Sequence, residues 1–429
     1  MRTTIYKEIS NTSLFKSQLL TWAQQFREVV FLDSNDYPQK YSNYDCILAV
    51  DAFTSINTDY HNGFEDLKQY QQTSKDWIFG YLSYDLKNDT EELNSSNFDG
   101  LQFPDLFFFQ PKKLFLLKKN QLEIQYLTMC EDEVEEDFDS IINTSVSTLE
   151  NSNSIEIQQR ISKDLYLEKI TKMLEYINKG DIYEANFCME FFAETTINPL
   201  NKFYLLNEIS KPPFAVFFKN NNHFLLSATP ERYLKKENNK IISQPIKGTS
   251  KRYLDNKEDE ISKNNLTSDP KERSENIMIT DLVRNDLSRT SKKDSVEVEE
   301  LCGVYSFLQV HHMISTITSI VDDQYSALDV IKKSFPMGSM TGAPKISAMT
   351  IIEELEETKR GLYSGSVGYF TPNGDFDFNV VIRSILYNSK NNYVSFSVGS
   401  AITALSIPEL EYEECLLKAN AMIKVLNCN

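Results

Sequence analysis

The stretch GSVGYFTPNGDFDFNVVIRSILYNSKNNYVSFSVG, residues 365–399, constrains the fold more than any other part of this chain. Apolar and aromatic residues alternate with polar ones, and the pattern is cut at Asn373-Gly374 and again near Asn391. Asn-Gly readily supplies the positive φ of tight hairpin turns, so the run predicts three antiparallel strands. A second hairpin is expected in ERYLKKENNKIISQPI, turning at Asn238 and Asn239. Helical segments lie between these runs, which predicts an α+β chain of antiparallel sheets with flanking helices.

With 429 residues, the chain is two to three times a usual domain of about 100–200 residues. The clearest break is the acidic run EDEVEEDFD at 131–139, followed by a Ser/Asn/Thr-rich stretch up to Ser154. It divides the chain into a first domain over 1–150 and a second over 155–429. The first part holds β-like apolar runs, DCILAVDAF, DWIFGYLSYDL and PDLFFFQPKKLFLLKK, but no recognisable catalytic cluster.

Charge narrows the function. Lys plus Arg number 44 and Asp plus Glu 62, so the net charge is 44 − 62 = −18, a field that repels nucleic acid and anionic membrane. No segment reaches the roughly 18 uninterrupted apolar residues of a membrane span, and the start MRTTIYKEISNTS lacks a signal-peptide core. A soluble cytoplasmic protein is expected. Six cysteines without a CxxC and four histidines argue against a disulfide framework or a zinc site.

Asp269-Pro270 is a helix-start signal, and KERSENIMITDLVRNDLSRT after it reads as a helix with Glu272 and Glu275 on one face. The last helix begins with Ser406 and Glu409 in capping-box spacing, and Glu411, Glu414 and Lys418 lie along one stripe of it. His311 and His312 sit in the strand-like run LQVHHMISTITSIV and point to opposite faces, one of them buried. GSMTGAPK looks like a phosphate loop, but Ala343 and Pro344 separate the second Gly from Lys345, so a nucleotide-binding reading fails on spacing. Lys247 precedes a glycine, where a backbone approaches a ligand easily. Taken singly, each of these features is ordinary surface or core chemistry.

Their order is not ordinary. PIKGT (245–249), ERSENIMITDLVRNDLSR (272–289), VHHMIS, FPMGSMTGAPK (335–345), RGLYSGSVGY and ELEYEECLLKA follow one another as in the chorismate-utilising enzymes. The chain resembles, within that family, the members that aminate chorismate at carbon 4. The resemblance covers nearly all of 155–429 and extends more loosely to the first part through LDSNDY and WIFGYLSYDL.

The resemblance implies two packed antiparallel sheets flanked by helices, with the site in the second part. It implies Mg2+ held by Glu275 and Glu414, with Glu272 beside them. Arg383, in NVVIRSIL, matches the arginine that binds the enolpyruvyl carboxylate; Tyr363 and the backbone at Gly399, Ser400 and Ala401 complete that pocket, Ala401 standing where the family usually has glycine. Thr249, Lys418 and Ser339 are further substrate-side positions. Lys247 matches the lysine that attacks carbon 2, Glu231 the general acid for the departing carbon 4 hydroxyl, and His312 a histidine linked to pyruvate loss in anthranilate synthases. Burial beside Mg2+ is expected to lower the Lys247 pKa and free its amine. Glu184 falls where isochorismate-forming relatives carry the lysine that activates water, which disfavours that activity, and where many close relatives have glutamine; near Lys247 it could hold that residue charged or take a proton from ammonium.

In some relatives the first domain binds tryptophan, in a pocket matching Ser34, Tyr41, Ser42, Asn43, Tyr44, Pro213 and Phe214. The implied partner is a separate glutamine amidotransferase subunit, because no glutaminase nucleophile motif surrounds any of the six cysteines and the resemblance uses the whole length. The nearest rival is anthranilate synthase, disfavoured by Lys247, where such enzymes usually carry alanine, and by the lack of an LLES-type segment. A silent chorismate-binding subunit is the alternative from another class.

Overall fold

The computed structural model describes residues 1–146 and 155–427. The hairpins form where turn chemistry places them: Arg232–Glu237 turns through Asn238, at φ 55°, into Lys240–Gln244, and Ser366–Phe370 turns through Gly374, at φ 77°, into Phe376–Val380. Beyond Val380 the chain departs from the expected pattern. The run read as one strand is two, Phe376–Val380 and Ser384–Asn388, so that this region holds four strands rather than three. The first pairs with Ser366–Phe370 and Arg232–Glu237, the second with His223–Thr229 and Tyr393–Thr403. The chain changes sheets at the break, and Arg383 takes φ 51° there.

All pairings between named strands are antiparallel. From Val310–Ile320 the first layer runs through Lys240–Gln244, Arg232–Glu237, Phe376–Val380, Ser366–Phe370 and Ile78–Leu82 to the long strand Leu106–Lys118. That strand also pairs with Cys46–Thr58, which begins the second layer: Glu28–Asp33, Phe214–Asn220, His223–Thr229, Ser384–Asn388, Tyr393–Thr403 and Glu184–Glu194. Strands from both parts of the chain thus share the sheets, Glu28–Asp33 joining Phe214–Asn220 and Ile78–Leu82 joining Ser366–Phe370. Of the acidic stretch read as a boundary, Val134–Ile142 is helical, and residues 147–154 lie outside the described residues.

Two cores hold the layers. One, between the sheets, collects Phe79, Phe108, Phe218, Leu234, Ile241, Ile317, Phe370 and Phe378. The other lies between the second layer and the helices Thr12–Trp22, Lys163–Lys179, Pro199–Ser210, Lys345–Leu355 and Pro408–Asn427. Phe191 and Phe396, directly opposite across two strands, stack 5.0 Å apart, a pairing worth about 0.5–1.5 kcal/mol beyond its buried area. Cys46, Cys130, Cys188, Cys302 and Cys415 are buried free thiols, and Cys428 lies outside the described residues. Among the described residues no helix is long and apolar enough to cross a membrane.

Candidate active site

Lys247 owes its position to a defect in a ladder. In the strand Ile246–Lys251, Ile246 faces Ile314 and Thr249 faces His312, so Lys247 and Gly248 together oppose the single residue Met313. Such a bulge bends the strand and re-aims a side chain. Gly248 permits it with φ 95°, and a Cβ there would lie 3.1 Å from both Glu272 Oε2 and Met313 Cβ. Asn276 fastens the bulge from the neighbouring helix, its Nδ2 donating to the carbonyls of Lys247 and Met313 at 3.1 Å each. The freed side chain reaches Glu184, Nζ to Oε1 2.8 Å, with exposures of 10% and 1%. Burial pulls the Lys247 amine down, but Glu184, Glu275 and Glu231 outweigh it and hold the amine above its ordinary value. The lowered value expected beside Mg2+ concerns the loaded site; without the ion these carboxylates dominate.

The helix Pro270–Ser288 starts as Asp269-Pro270 predicts, Asp269 accepting from the amides of Lys271 and Glu272. Glu275, Asn276, Ile279, Val283 and Leu287 form its buried stripe. Desolvation, partly offset by Lys247, pushes Glu275 up to about 7; desolvation and the Glu414 charge push Glu272 up. Glu275 Oε1 is buried without a hydrogen-bond partner. Carboxyls raised by burial and by one another form an anionic patch suited to a hard cation. They are not gathered into a formed site: among the described residues no three His, Cys, Asp or Glu side chains stand close enough to hold a metal ion. Glu414 bonds Lys418 at 2.6 Å, which overcomes desolvation and lowers its pKa, while Lys271 lies 3.9 Å from Glu275 and 3.5 Å from Glu411.

Glu231, 3% exposed, stands where His223–Thr229 gives way to Arg232–Glu237. Desolvation pushes it up to about 7, against the donor Ser339, whose hydroxyl lies 2.6 Å from Oε1, and the Lys247 charge. Ser339 sits on the turn Gly338–Met340 within GSMTGAPK. This segment clasps a strand instead of binding phosphate: Gly342 passes so close to Glu184 that a Cβ would meet its carbonyl oxygen at 2.1 Å. Lys345 Nζ donates to the carbonyls of Ser334 and Pro336 and pairs with Asp286.

Arg383 lies at the chain's sheet change, and with His312, Ala228, Pro230, Phe307 and Met422 it lines a half-open cavity. Burial lowers the guanidinium's pKa, with Tyr363 and Glu414 opposing. Both histidines are buried, His311 at 1% and His312 at 3%, where only one was expected; each face of the strand Val310–Ile320 is covered. His311 bonds Ser306 and Asp259, and His312 Nδ1 is 2.9 Å from Thr249 Oγ1. Burial and Arg383 bring His312 down to about 3, a neutral ring at physiological pH. Tyr363 is 4% exposed, its hydroxyl 3.9 Å from Cys188 Sγ.

Lys418 ties the last helix to the strand Tyr393–Thr403, donating to Gly399 O at 2.8 Å. A Cβ at Gly399 would lie 2.7 Å from Cys188 Sγ, so only glycine fits. The Ser400 hydroxyl is spent on Tyr166 OH at 3.2 Å, and Ala401 O accepts from Ser406 Oγ. Ser406 closes that turn, also accepting from the Thr403 amide, where a capping box was expected.

A separate, half-open cleft is lined by Ser34, Ser42, Asn43, Tyr44, Pro213 and Phe214, with Asp33, Arg232, Tyr369 and Asp377. Tyr41 is engaged beside it, its carbonyl accepting from Arg232 and Lys235 and its hydroxyl donating to Glu299. Sequence reasoning passed over two residues. Asn276 holds the bulge, and its signal was its place on the Glu272–Ile279 face. Arg360 joins Met340 O and Asn186 O, each at 2.6 Å, and so ties the Ser339 turn to the Glu184 strand.

Residues 23–424 match the family described as chorismate binding enzyme. The chain is 34% identical over 413 residues to the probable chloroplastic aminodeoxychorismate synthase of Oryza sativa subsp. japonica, covering 87% of this chain and 44% of that protein. It is 38% identical over 269 residues to aminodeoxychorismate synthase component 1 of Escherichia coli strain K12, covering 63% and 59%. To aminodeoxychorismate synthase component 1 of Bacillus subtilis strain 168 it is 30% identical over 390 residues, covering 87% and 80%. The chain thus spans about half the length of the first two. Among solved structures, anthranilate synthase component I from Streptococcus pneumoniae TIGR4 shares the fold, with TM-score 0.78 and 24% identity over 90% of this chain and 94% of that one. On the match over 23–424 and the identity to the Bacillus subtilis protein, the chain belongs to the family of chorismate binding enzymes.

Proposed function

We propose that this chain aminates chorismate at carbon 4, giving 4-amino-4-deoxychorismate for 4-aminobenzoate and folate synthesis. The observation that carries the reading is the bulged, buried Lys247, close enough to Glu231, a carboxyl raised to about 7, for each charge to act on the other. A lysine there can attack carbon 2, and a carboxyl protonated near neutrality can hand its proton to the departing carbon 4 hydroxyl. Ser339 orients that carboxyl. Arg383 and neutral His312, which line one cavity, would receive the enolpyruvyl carboxylate; Tyr363 acts electrostatically on Arg383, and Lys418 holds the Gly399 carbonyl. The names of the relatives support the same reading.

Glu272, Glu275 and Glu414 would hold Mg2+, which when bound offsets the negative charge of carboxylates and substrate. The orphaned Glu275 oxygen, the raised Glu272 and Glu275 carboxyls and the ionised Glu414 beside them fit that role. Ammonia would come from a separate glutamine amidotransferase subunit. The cavity around Ser34 is proposed as a seat for tryptophan, with Phe214 and Tyr44 as aromatic walls.

The test is product identity. Purified chain, chorismate, Mg2+ and ammonium salt should yield aminodeoxychorismate, and glutamine should replace ammonium only after the amidotransferase subunit is added. Anthranilate as the product would replace this reading with the anthranilate synthase one.

A further inference from the structure

The strand Glu184–Glu194 opens on a carboxylate that this chemistry leaves without a task. Glu184 is 1% exposed, one oxygen 2.8 Å from Lys247 and the other, Oε2, buried without a hydrogen-bond partner. Its backbone is fixed on both sides, paired with Ala343 and Thr403, while the amides of Tyr183 and Asn186 donate to Ala343 O and Thr341 O. This is a built, buried pair, unlike a surface ion pair worth little.

Three carboxyls act on the Lys247 amine: Glu184, Glu275 from the helix Pro270–Ser288, and Glu231 at the start of the adjoining strand; Lys271 and Glu272 lie beyond Glu275. Only Glu184 is within ion-pair distance of Nζ. A lysine held as ammonium has no lone pair, so its proton must leave before attack. Glu231 cannot take it, because it must be protonated to release the hydroxyl as water.

We propose that Glu184 is the proton acceptor that converts Lys247 from ammonium into nucleophilic amine and stores the proton until the lysine departs. This rests on the carbon 4 reading. Glu184 takes one proton from Nζ; the Nζ–C2 bond forms, the ring double bonds shift, the C4–O bond breaks, and the Glu231 proton leaves with the hydroxyl as water. The adduct nitrogen is then a secondary ammonium. Ammonia next bonds to carbon 4, the double bonds shift back and the C2–Nζ bond breaks, releasing neutral lysine. The new ammonium gives a proton to Glu231, and Glu184 returns its own to Lys247. Chorismate and ammonia become aminodeoxychorismate and water, with both carboxyls restored.

The test follows Lys247 adduct formation by quenched-flow mass spectrometry, with chorismate and Mg2+ but no ammonia, in wild type, Glu184→Gln and Glu184→Asp. Near-native circular dichroism and chorismate binding establish that the variants are folded. Without the acceptor the proton must go to solvent, so the Glu184→Gln rate should fall at least about a hundredfold at pH 7 and climb about tenfold per pH unit only up to about pH 7, levelling off where Glu231 ionises. Glu184→Asp should keep a flatter profile and recover part of the rate. A Glu184→Gln rate and pH profile like wild type would overturn the proposal while leaving the carbon 4 reading intact. No adduct in wild type, or anthranilate as its product, would overturn that reading and the proposal with it.

Discussion

Asn276 donates to the carbonyls of Lys247 and Met313 with one amide group, joining the two sides of the bulge that aims the lysine. Its Oδ1 accepts from Ser315 Oγ, so the side chain is engaged at both ends. Asn276→Ala should leave buried carbonyls unpaired, costing about 1–3 kcal/mol. The turnover number should fall further than chorismate affinity does. A variant as unstable as this but with unchanged turnover would show that the amide only holds the fold; steady-state kinetics beside thermal unfolding decides it.

Gly248 tests the same bulge from the backbone. Its φ of 95° and its approach to Glu272 leave no place for a Cβ. Gly248→Ala should cost about 1–3 kcal/mol and suppress activity strongly. Calorimetric unfolding and a product assay check both parts.

The Glu231–Ser339 bond predicts a pH effect with a definite sign. Ser339 lowers the Glu231 pKa, which burial has raised to about 7. As a general acid Glu231 must be protonated, so activity should decline above about pH 7. Ser339→Ala removes the lowering influence, so the alkaline limb of the kcat profile should move to higher pH. Movement to lower pH, or none, would separate that limb from Glu231.

Glu275 makes stability depend on pH. Its folded pKa of about 7 exceeds the unfolded 4.5, so the folded state binds more protons between them and stability falls as pH rises through that window. Glu275→Gln should match wild type near pH 4 and exceed it at pH 8, by at most about 3 kcal/mol. Mg2+ should stabilise wild type more at pH 8 than at pH 5.5, and should stabilise Glu275→Gln less. Thermal melts of both proteins with and without Mg2+ provide the comparison.

The hairpins were legible because Asn373-Gly374 and Asn238 carry their turn geometry in residue type. The break at Arg383 was not, since NVVIRSIL has the β-branched composition of an unbroken strand and the change of sheet depends on partners far along the chain. The chemistry of Lys247, Glu231 and Glu275 was visible through motif resemblance. What those residues do to one another was not: Glu184 meets Lys247 only because a bulge and a clasped strand end converge, and without Mg2+ that carboxylate holds the lysine amine up. Asn276 was hidden beside Glu275, a more conspicuous side chain on the same helix.

Whether Lys247 is the nucleophile of a carbon 4 amination is decided by peptide mass spectrometry of the protein incubated with chorismate and Mg2+ in the absence of ammonia. The peptide bearing Lys247 should gain the mass of chorismic acid less one water, and ammonium should discharge the adduct as aminodeoxychorismate. An unmodified Lys247 peptide, from a preparation that still makes aminodeoxychorismate when ammonium is supplied, would contradict that role for Lys247.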